Sequence, residues 1–171
     1  AAPGFGRTAL IWACMEGRLD ITEMLLAAGA DAGQTTQLGS TALMSACMRG
    51  HVQCALALLQ RNADANQGMA GGRTALWCAA EEDRLACAQL LLAHGAHVNQ
   101  PILHGRTPLI WAAERGHEGA VEQLIDLHAD VTALSASGEM TALAVAAFAG
   151  HSECVARLLA AGADPNQTMW Q

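Results

Sequence analysis

The chain has 171 residues, 52% of them hydrophobic, and a formal net charge of −7 at pH 7. This length is enough to bury a core, whereas nine arginines without a lysine and the negative charge disfavour binding to a nucleic-acid backbone. No run approaches the roughly 18 uninterrupted apolar residues that a membrane span requires, so we expect a soluble chain without a membrane partner.

A segment of about a dozen residues recurs five times along the chain. The copies read GRTALIWACMEG, GSTALMSACMRG, GRTALWCAAEED, GRTPLIWAAERG and EMTALAVAAFAG. They align on threonines spaced by 33, 33, 33 and then 34 residues, which are Thr8, Thr41, Thr74, Thr107 and Thr141. A threonine hydroxyl is a good N-cap acceptor, and an apolar face begins two residues later. Each copy therefore predicts a short helix that starts directly after its threonine.

A second, leucine-rich helix follows each first helix. The turn between the two helices is predicted where a left-handed residue would reverse the chain, at Gly17, Gly50, Asp83, Gly116 and Gly150. The second helices are predicted to end at Gly29, Asn62, Gly95, His128 and Gly162. Asparagine and histidine are among the few types besides glycine that enter the left-handed region at modest cost, so the two exceptions fit the same backbone rule.

These repeated residues resemble the ankyrin repeat, whose pattern is G-x-T-P-L-H-x-A-A-x-x-G-H, then a leucine-rich helix and G-A-D-x-N. The resemblance covers residues 4–167 and implies an all-α solenoid of helix–turn–helix units with projecting hairpin loops and a concave face. One repeat cannot bury its own apolar side, so stability would come from stacking. We expect a single domain over residues 1–171, with repeats at approximately 3–35, 36–68, 69–101, 102–134 and 135–168.

Two columns of the chain depart from the ankyrin pattern. The histidine after the leucine is missing, and its place is taken by Ile11, Met44, Trp77, Ile110 and Ala144. In the ankyrin family this histidine joins the helix to the hairpin by hydrogen bonds, and we expect apolar packing in its place here. The aspartate that opens each hairpin is also absent, and its column holds Pro3, Thr36, Met69, Ile102 and Ser135. We expect less regular hairpins, with a bulge at the extra residue in SGEMT before the fifth repeat.

The stretch AAERGHE, residues 112–118, begins like a metal site on a helix. Glu114 and His117 stand three residues apart, but Val121 lies where a metalloprotease helix would carry its second histidine. A turn between two helices explains the Gly116–His117 pair without any metal binding. No nucleophile, base and acid are arranged for catalysis, so no enzyme activity, metal or cofactor is expected.

The six cysteines are expected to act as small buried hydrophobic residues. No C-x-x-C occurs, and equivalent positions of adjacent repeats should stand roughly 10 Å apart, which is too far for a disulfide. This indicates a reducing, intracellular location, the cytoplasm first and the nucleus as the alternative. Cys78 is the expected exception, because its column also holds Trp12 and Trp111 and suggests partial exposure.

The ankyrin resemblance assigns the concave face to residues just before each threonine and in the last turn of each first helix. The partner-binding residues that it implies are Phe5, Arg7, Met15, Leu38, Met48, Arg49, Arg73, Glu81, Glu82, Leu103, His104, Arg106, Glu114, Arg115 and Phe148. Arg7, Arg73 and Arg106 share one column and form a predicted ladder that would grip carboxylates or carbonyls of an extended peptide. Methionine and leucine side chains would add adaptable apolar contacts. Solvated loop arginines are the alternative.

Two function classes follow from the resemblance. The favoured one is a protein-interaction module that binds another protein or an extended peptide on its concave face. The other is a regulatory or spacer segment of a larger enzyme, channel or effector. The fifth repeat has no markedly polar cap, so the array would continue, would self-associate through uncapped ends, or would be covered by Met169 and Trp170.

Two smaller alternatives stay open. Trp12, Trp77 and Trp111 would either fill the space beside small alanines or serve as anchors of a binding surface, where tryptophan is enriched. The hairpin asparagines resemble the family's substrates for asparaginyl hydroxylase, and hydrogen bonding that rigidifies the hairpin explains them equally well. They are Asn66, Asn99 and Asn166.

Overall fold

The computed structural model describes residues 6–102, 105–135 and 140–167, and within these ranges it contains ten α-helices and no strand. None of the helices in this part of the chain has the length and apolar character that a membrane span needs. The predicted all-α class is confirmed. The Cα atoms cluster into two compact units, residues 1–96 and residues 97–171, which we call unit 1 and unit 2. The single-domain organisation stays a prediction.

Unit 1 consists of three consecutive helix pairs. They are α1 (Ala9–Met15) with α2 (Leu19–Ala27), α3 (Ala42–Arg49) with α4 (Val52–Gln60), and α5 (Ala75–Glu81) with α6 (Leu85–Ala93). The first helices α1, α3 and α5 pack side by side, and the second helices α2, α4 and α6 do the same. Each pair thus buries its apolar side against the next pair.

Unit 2 repeats this arrangement with two helix pairs. They are α7 (Pro108–Arg115) with α8 (Glu118–Asp126) and α9 (Ala142–Ala149) with α10 (Ser152–Ala160). Helix α7 packs on α9, and α8 packs on α10. Pro108 lies in the first turn of α7, where its missing N–H has no helical partner to lose.

All five first helices begin directly after the predicted threonine. In each case the hydroxyl oxygen accepts a hydrogen bond of 3.1 to 3.3 Å from the backbone N–H three residues later. The threonine backbone itself is extended, as an N-cap requires. The repeated threonine therefore fixes where every first helix starts.

The predicted chain reversals are also present. Gly17, Gly50, Gly116 and Gly150 have φ between +68° and +81°, and Asp83 takes the same region at +52°. At the ends of the second helices Asn62 has φ of +60° and His128 has φ of +63°. The two non-glycine exceptions are thus left-handed, as the columns predicted.

The column that lost its histidine is part of the core. Ile11, Met44, Trp77 and Ile110 are each 1% exposed, which confirms apolar packing in those four repeats. Ala144, in the last repeat, is half-buried. Two apolar residues of the second helices are exposed in the first and fifth repeats: Ile21 is 44% exposed, and Leu159 is 42% exposed.

The loops are more regular than predicted. In loops 36–40, 69–73 and 102–106 the N–H of the first residue donates to the carbonyl of the fifth, and the N–H of the fourth donates to the carbonyl of the first, at 2.9 to 3.0 Å. The expectation of irregular hairpins is wrong for these three loops, because backbone groups close the turn and a glycine of positive φ occupies its fourth position. The aspartate is therefore dispensable.

The loop before the fifth repeat is one residue longer. Its closing bond runs from the N–H of Ser135 to the carbonyl of Met140 at 3.0 Å, a span of five residues where the other loops have four. The predicted bulge lies mostly within residues 136–139, outside the described residues, as do Met169 and Trp170.

All six cysteines are buried and free of disulfides, and the columns predicted burial for every one except Cys78. The partial exposure expected for Cys78 is wrong, since its side chain is 1% exposed. Tryptophan reaches out of the packed layer in this column, whereas a short thiol stays inside it. Two thiols from different columns meet: the Cys47 thiol donates a hydrogen bond to the Cys87 sulfur, which raises the pKa of Cys47 and lowers the pKa of Cys87. The reducing, intracellular location stays a prediction.

Candidate functional site

In each unit, the first-helix face is the surface formed by side chains just before each capping threonine and in the last turn of each first helix. The predicted partner-binding residues that the structure describes are taken below, one unit at a time. Phe5, Leu103 and His104 belong to the same predicted set but lie outside the described residues.

In unit 1 this face exposes apolar and cationic side chains together. Leu38 is 58% exposed, and Met15 and Met48 are half-buried beside it. Arg7 and Arg49 are exposed at the loop and at the end of α3. Leu38 therefore offers a partner an apolar contact surface with arginines around it.

These side chains surround a cavity of about 290 Å³. It is lined by Arg7, Met15, Thr36, Leu38, Ser40, Ser45, Met48, Arg49 and Met69. Five of these nine residues belong to the predicted partner-binding set. Thioether side chains are flexible and polarisable, so three methionines give the cavity walls that adapt to the shape of an occupant.

Two hydroxyl groups at the cavity already have partners inside the chain. Thr36 Oγ1 accepts from the N–H of Ser40 at 3.1 Å, and the Ser45 hydroxyl donates to the carbonyl of Thr41 at 3.0 Å. Arg7 lies with its guanidinium carbon 4.9 Å from the centre of the Trp12 ring. Among the described residues neither Arg7 nor Arg49 has a carboxylate within ion-pair distance.

Arg73 is held differently at the other end of unit 1. Its Nη2 donates to both carboxylate oxygens of Glu81, at 2.8 and 2.9 Å, and its guanidinium carbon lies 3.7 Å from the centre of the Trp77 ring. Beside this group, burial raises the pKa of Cys78 to about 12, although the positive charge of Arg73 acts in the opposite direction. Glu82, the next residue of the predicted set, is exposed.

Unit 2 has its own arginine–glutamate pair on this face. Arg106 Nη1 donates to Glu114 Oε2 at 2.6 Å, and the backbone carbonyl of Glu114 lies 3.1 Å from His151 Nε2. Trp111 is half-buried, with Arg115 at 5.0 Å and Arg106 at 5.7 Å from its ring centre. The Glu114 carboxylate is thus engaged by an arginine.

Phe148 is the most exposed large apolar residue among those described, at 89%. It lies in the last turn of α9, in the column of Met15, Met48, Glu81 and Glu114. It therefore gives the first-helix face of unit 2 an apolar contact point of its own.

The structure divides the predicted arginine ladder into two kinds of residue. Arg73 and Arg106 are neutralised by a glutamate eight residues later, whereas Arg7 has Met15 at that position. The partner-binding role of the whole set stays a prediction. Four cavity residues lie outside the predicted partner-binding set: Thr36, Ser40, Ser45 and Met69. For Thr36 and Met69 one signal was present in the sequence, their place in the column that lost aspartate.

The capped helix pairs, joined by left-handed turns and stacked in each unit, define a helical repeat protein. A family model described as ankyrin repeats (3 copies) matches residues 10–102 and 99–169, and the chain belongs to the ankyrin repeat family. The human ASB11 ankyrin repeat domain, known from a crystal structure, is similar, with 31% sequence identity and a TM-score of 0.82. That match covers 92% of this chain and 71% of the ASB11 chain. The search of curated proteins gives no match.

Proposed function

We propose that this chain is a protein-interaction module that binds another protein or an extended peptide through its first-helix face. Ankyrin repeat domains are generally protein-binding modules and typically have no catalytic role. The fold alone names neither the partner nor the surface, so the choice of face has to be argued from side chains.

The observation that carries the proposal is the apolar surface around Leu38. An isolated exposed leucine would mean little, because most protein surfaces contain some. Leu38 instead stands at the edge of a cavity that three methionines line, with two arginines around it. A contiguous apolar area with a polar rim is the usual composition of a protein-binding patch.

The experiment compares two exposed apolar residues of unit 1. Leu38 is 58% exposed on the first-helix face, and Met24 is 72% exposed on the second helix α2. Partners would be captured from an extract of the source cell by wild type, Leu38→Ser and Met24→Ser, with melting curves to establish that all three are folded. We expect the same specific partner with wild type and Met24→Ser and its loss with Leu38→Ser, because only Leu38 lies on the binding face.

The opposite pattern would place the binding surface on the second helices and refute the choice of face. A partner that both variants retain would argue for a site on unit 2, where Phe148 is the exposed apolar residue. The regulatory or spacer role stays the second prediction, and it requires no direct partner of the isolated chain.

A further inference from the structure

The same arginine–glutamate pair is present in the third and fourth repeats and is absent from the first repeat. The arginine just before the capping threonine pairs with a glutamate eight residues later, as Arg73 does with Glu81 and Arg106 with Glu114. In the first repeat the same spacing joins Arg7 to Met15. The positive charge of Arg7 is therefore not balanced by a glutamate at this position, as the charges of Arg73 and Arg106 are.

The cavity of unit 1 combines this charge with a second one. Arg7 and Arg49 both line it, and among the described residues no carboxylate lies within ion-pair distance of either. The remaining wall is largely apolar and includes Met15, Met48 and Met69. Two guanidinium groups at the rim of a methionine cavity match an apolar side chain with carboxylates beside it, since guanidinium forks pair with carboxylates through two parallel hydrogen bonds.

The wider charge distribution favours the same site. Residues 1–96 carry six arginines against eight acidic residues, whereas residues 97–171 carry three against eight. An acidic ligand is therefore repelled less strongly by unit 1 than by unit 2. Inside unit 1, Arg73 is already occupied by Glu81, which leaves the cavity arginines as the attractive point on this face.

We infer that the cavity between loop 36–40 and the ends of α1 and α3 binds an extended acidic segment of a partner protein. One apolar side chain of that segment enters among the methionines, and neighbouring carboxylates pair with Arg7 and Arg49. A cavity of about 290 Å³ is at the lower limit for small-molecule sites and suits a single large side chain of a longer ligand. This inference rests on the proposed function and specifies the chemistry of the partner.

The test is a selection from a display library of random peptides against the full chain. We expect the recovered peptides to be enriched in aspartate and glutamate on either side of a leucine, methionine or phenylalanine. Affinities of one recovered peptide would then be measured, at low and at high salt, for wild type, Arg7→Gln, Arg49→Gln and Met15→Glu. Arg18→Gln is the matched control, because Arg18 is an exposed arginine of unit 1 that does not line the cavity.

Each cavity arginine variant should weaken binding by about tenfold or more, since hydrogen bonds to charged groups are worth roughly that factor. Met15→Glu should weaken it at least as much, because it recreates the pair seen in the third and fourth repeats and neutralises Arg7 internally. Arg18→Gln should leave the affinity within about twofold. Melting curves that match wild type establish that the variants fold.

Three results would overturn the inference. Peptides enriched in lysine or arginine, or without any charge preference, would show that the arginines do not select the ligand. Acidic peptides that bind the Arg7, Arg49 and Met15 variants as tightly as wild type would place the site elsewhere. Equal competition by a single-stranded DNA of the same charge would show a general anion site. If the recovered peptides are not acidic but bind the Leu38→Ser variant more weakly than wild type, this inference fails and the proposed function stands. If no peptide is recovered at all, the result counts against the proposed function as well.

Discussion

Trp77→Ala should lower the free energy of unfolding by about 3–5 kcal/mol, and Trp12→Ala by about 2–3 kcal/mol. Trp77 is 1% exposed, whereas Trp12 is 44% exposed. A fully buried tryptophan removes about 200 Å² from water, worth about 5 kcal/mol at about 25 cal/mol per Å². Little more than half of that applies to Trp12. Loss of the Trp77 ring also removes the surface on which Arg73 stacks at 3.7 Å, so its cost lies at the upper end.

Urea unfolding followed by far-ultraviolet circular dichroism measures this difference, since a change of tryptophan content would confuse a fluorescence signal. Wild type and the two variants are compared at equal denaturant slope, so that a shift of the midpoint reports stability. Equal losses for the two variants, or a larger loss for Trp12, would refute the assignment of Trp77 to the core. If Trp12→Ala keeps most of its stability and loses partner binding, the exposed ring is an anchor of the interface.

Two further predictions concern the turns and the thiols. Gly29→Ala should cost about 1–2 kcal/mol for its positive φ alone, because no atom lies within 4 Å of the added Cβ. Gly17→Ala should cost about 1–3 kcal/mol more, because its Cβ would lie 2.6 Å from the imidazole of His51; equal urea midpoints for the two variants would contradict this steric account. The second prediction is a loss of stability in alkali, because burial raises the pKa of Cys14 to about 11 and that of Cys78 to about 12, from an ordinary value of 9.0. An unfolded thiol loses its proton at a lower pH than the buried thiol, so these thiols should leave the free energy of unfolding unaffected below about pH 9. Between about pH 9 and 12 the free energy of unfolding should fall by up to about 1.4 kcal/mol per pH unit for each thiol. The fall should be shallower in Cys14→Ala.

Much of the backbone could be predicted because single residues dictate it. A threonine before an apolar run fixes a helix start, and the hydrogen bond to the N–H three residues later is present in all five repeats. A left-handed residue can be inferred from a column of glycines even where Asn62 or His128 stands in it. These are local rules that need no knowledge of the neighbouring repeat.

The side-chain arrangement of the candidate site was harder to predict. Whether an arginine pairs with a carboxylate depends on the residue eight positions later, which comes close only after the loop and the helix have folded. Arg7 and Arg73 share a column and still differ for this reason. Contacts between repeats have the same character: Cys47 and Cys87 come from different columns, so comparison within one column could not find their hydrogen bond.

The turn geometry of the loops has a practical consequence for changing what the protein binds. Loops 36–40 and 69–73 are closed by the same two backbone bonds although their sequences, TQLGS and MAGGR, share only one glycine position. The second and third residues contribute no closing bond in either loop, but Gly71, the third residue of loop 69–73, has φ of +94°, a conformation that disfavours any side chain there. New recognition residues can therefore be introduced at Gln37 and Leu38 of loop 36–40, which take no part in the two bonds that close that loop.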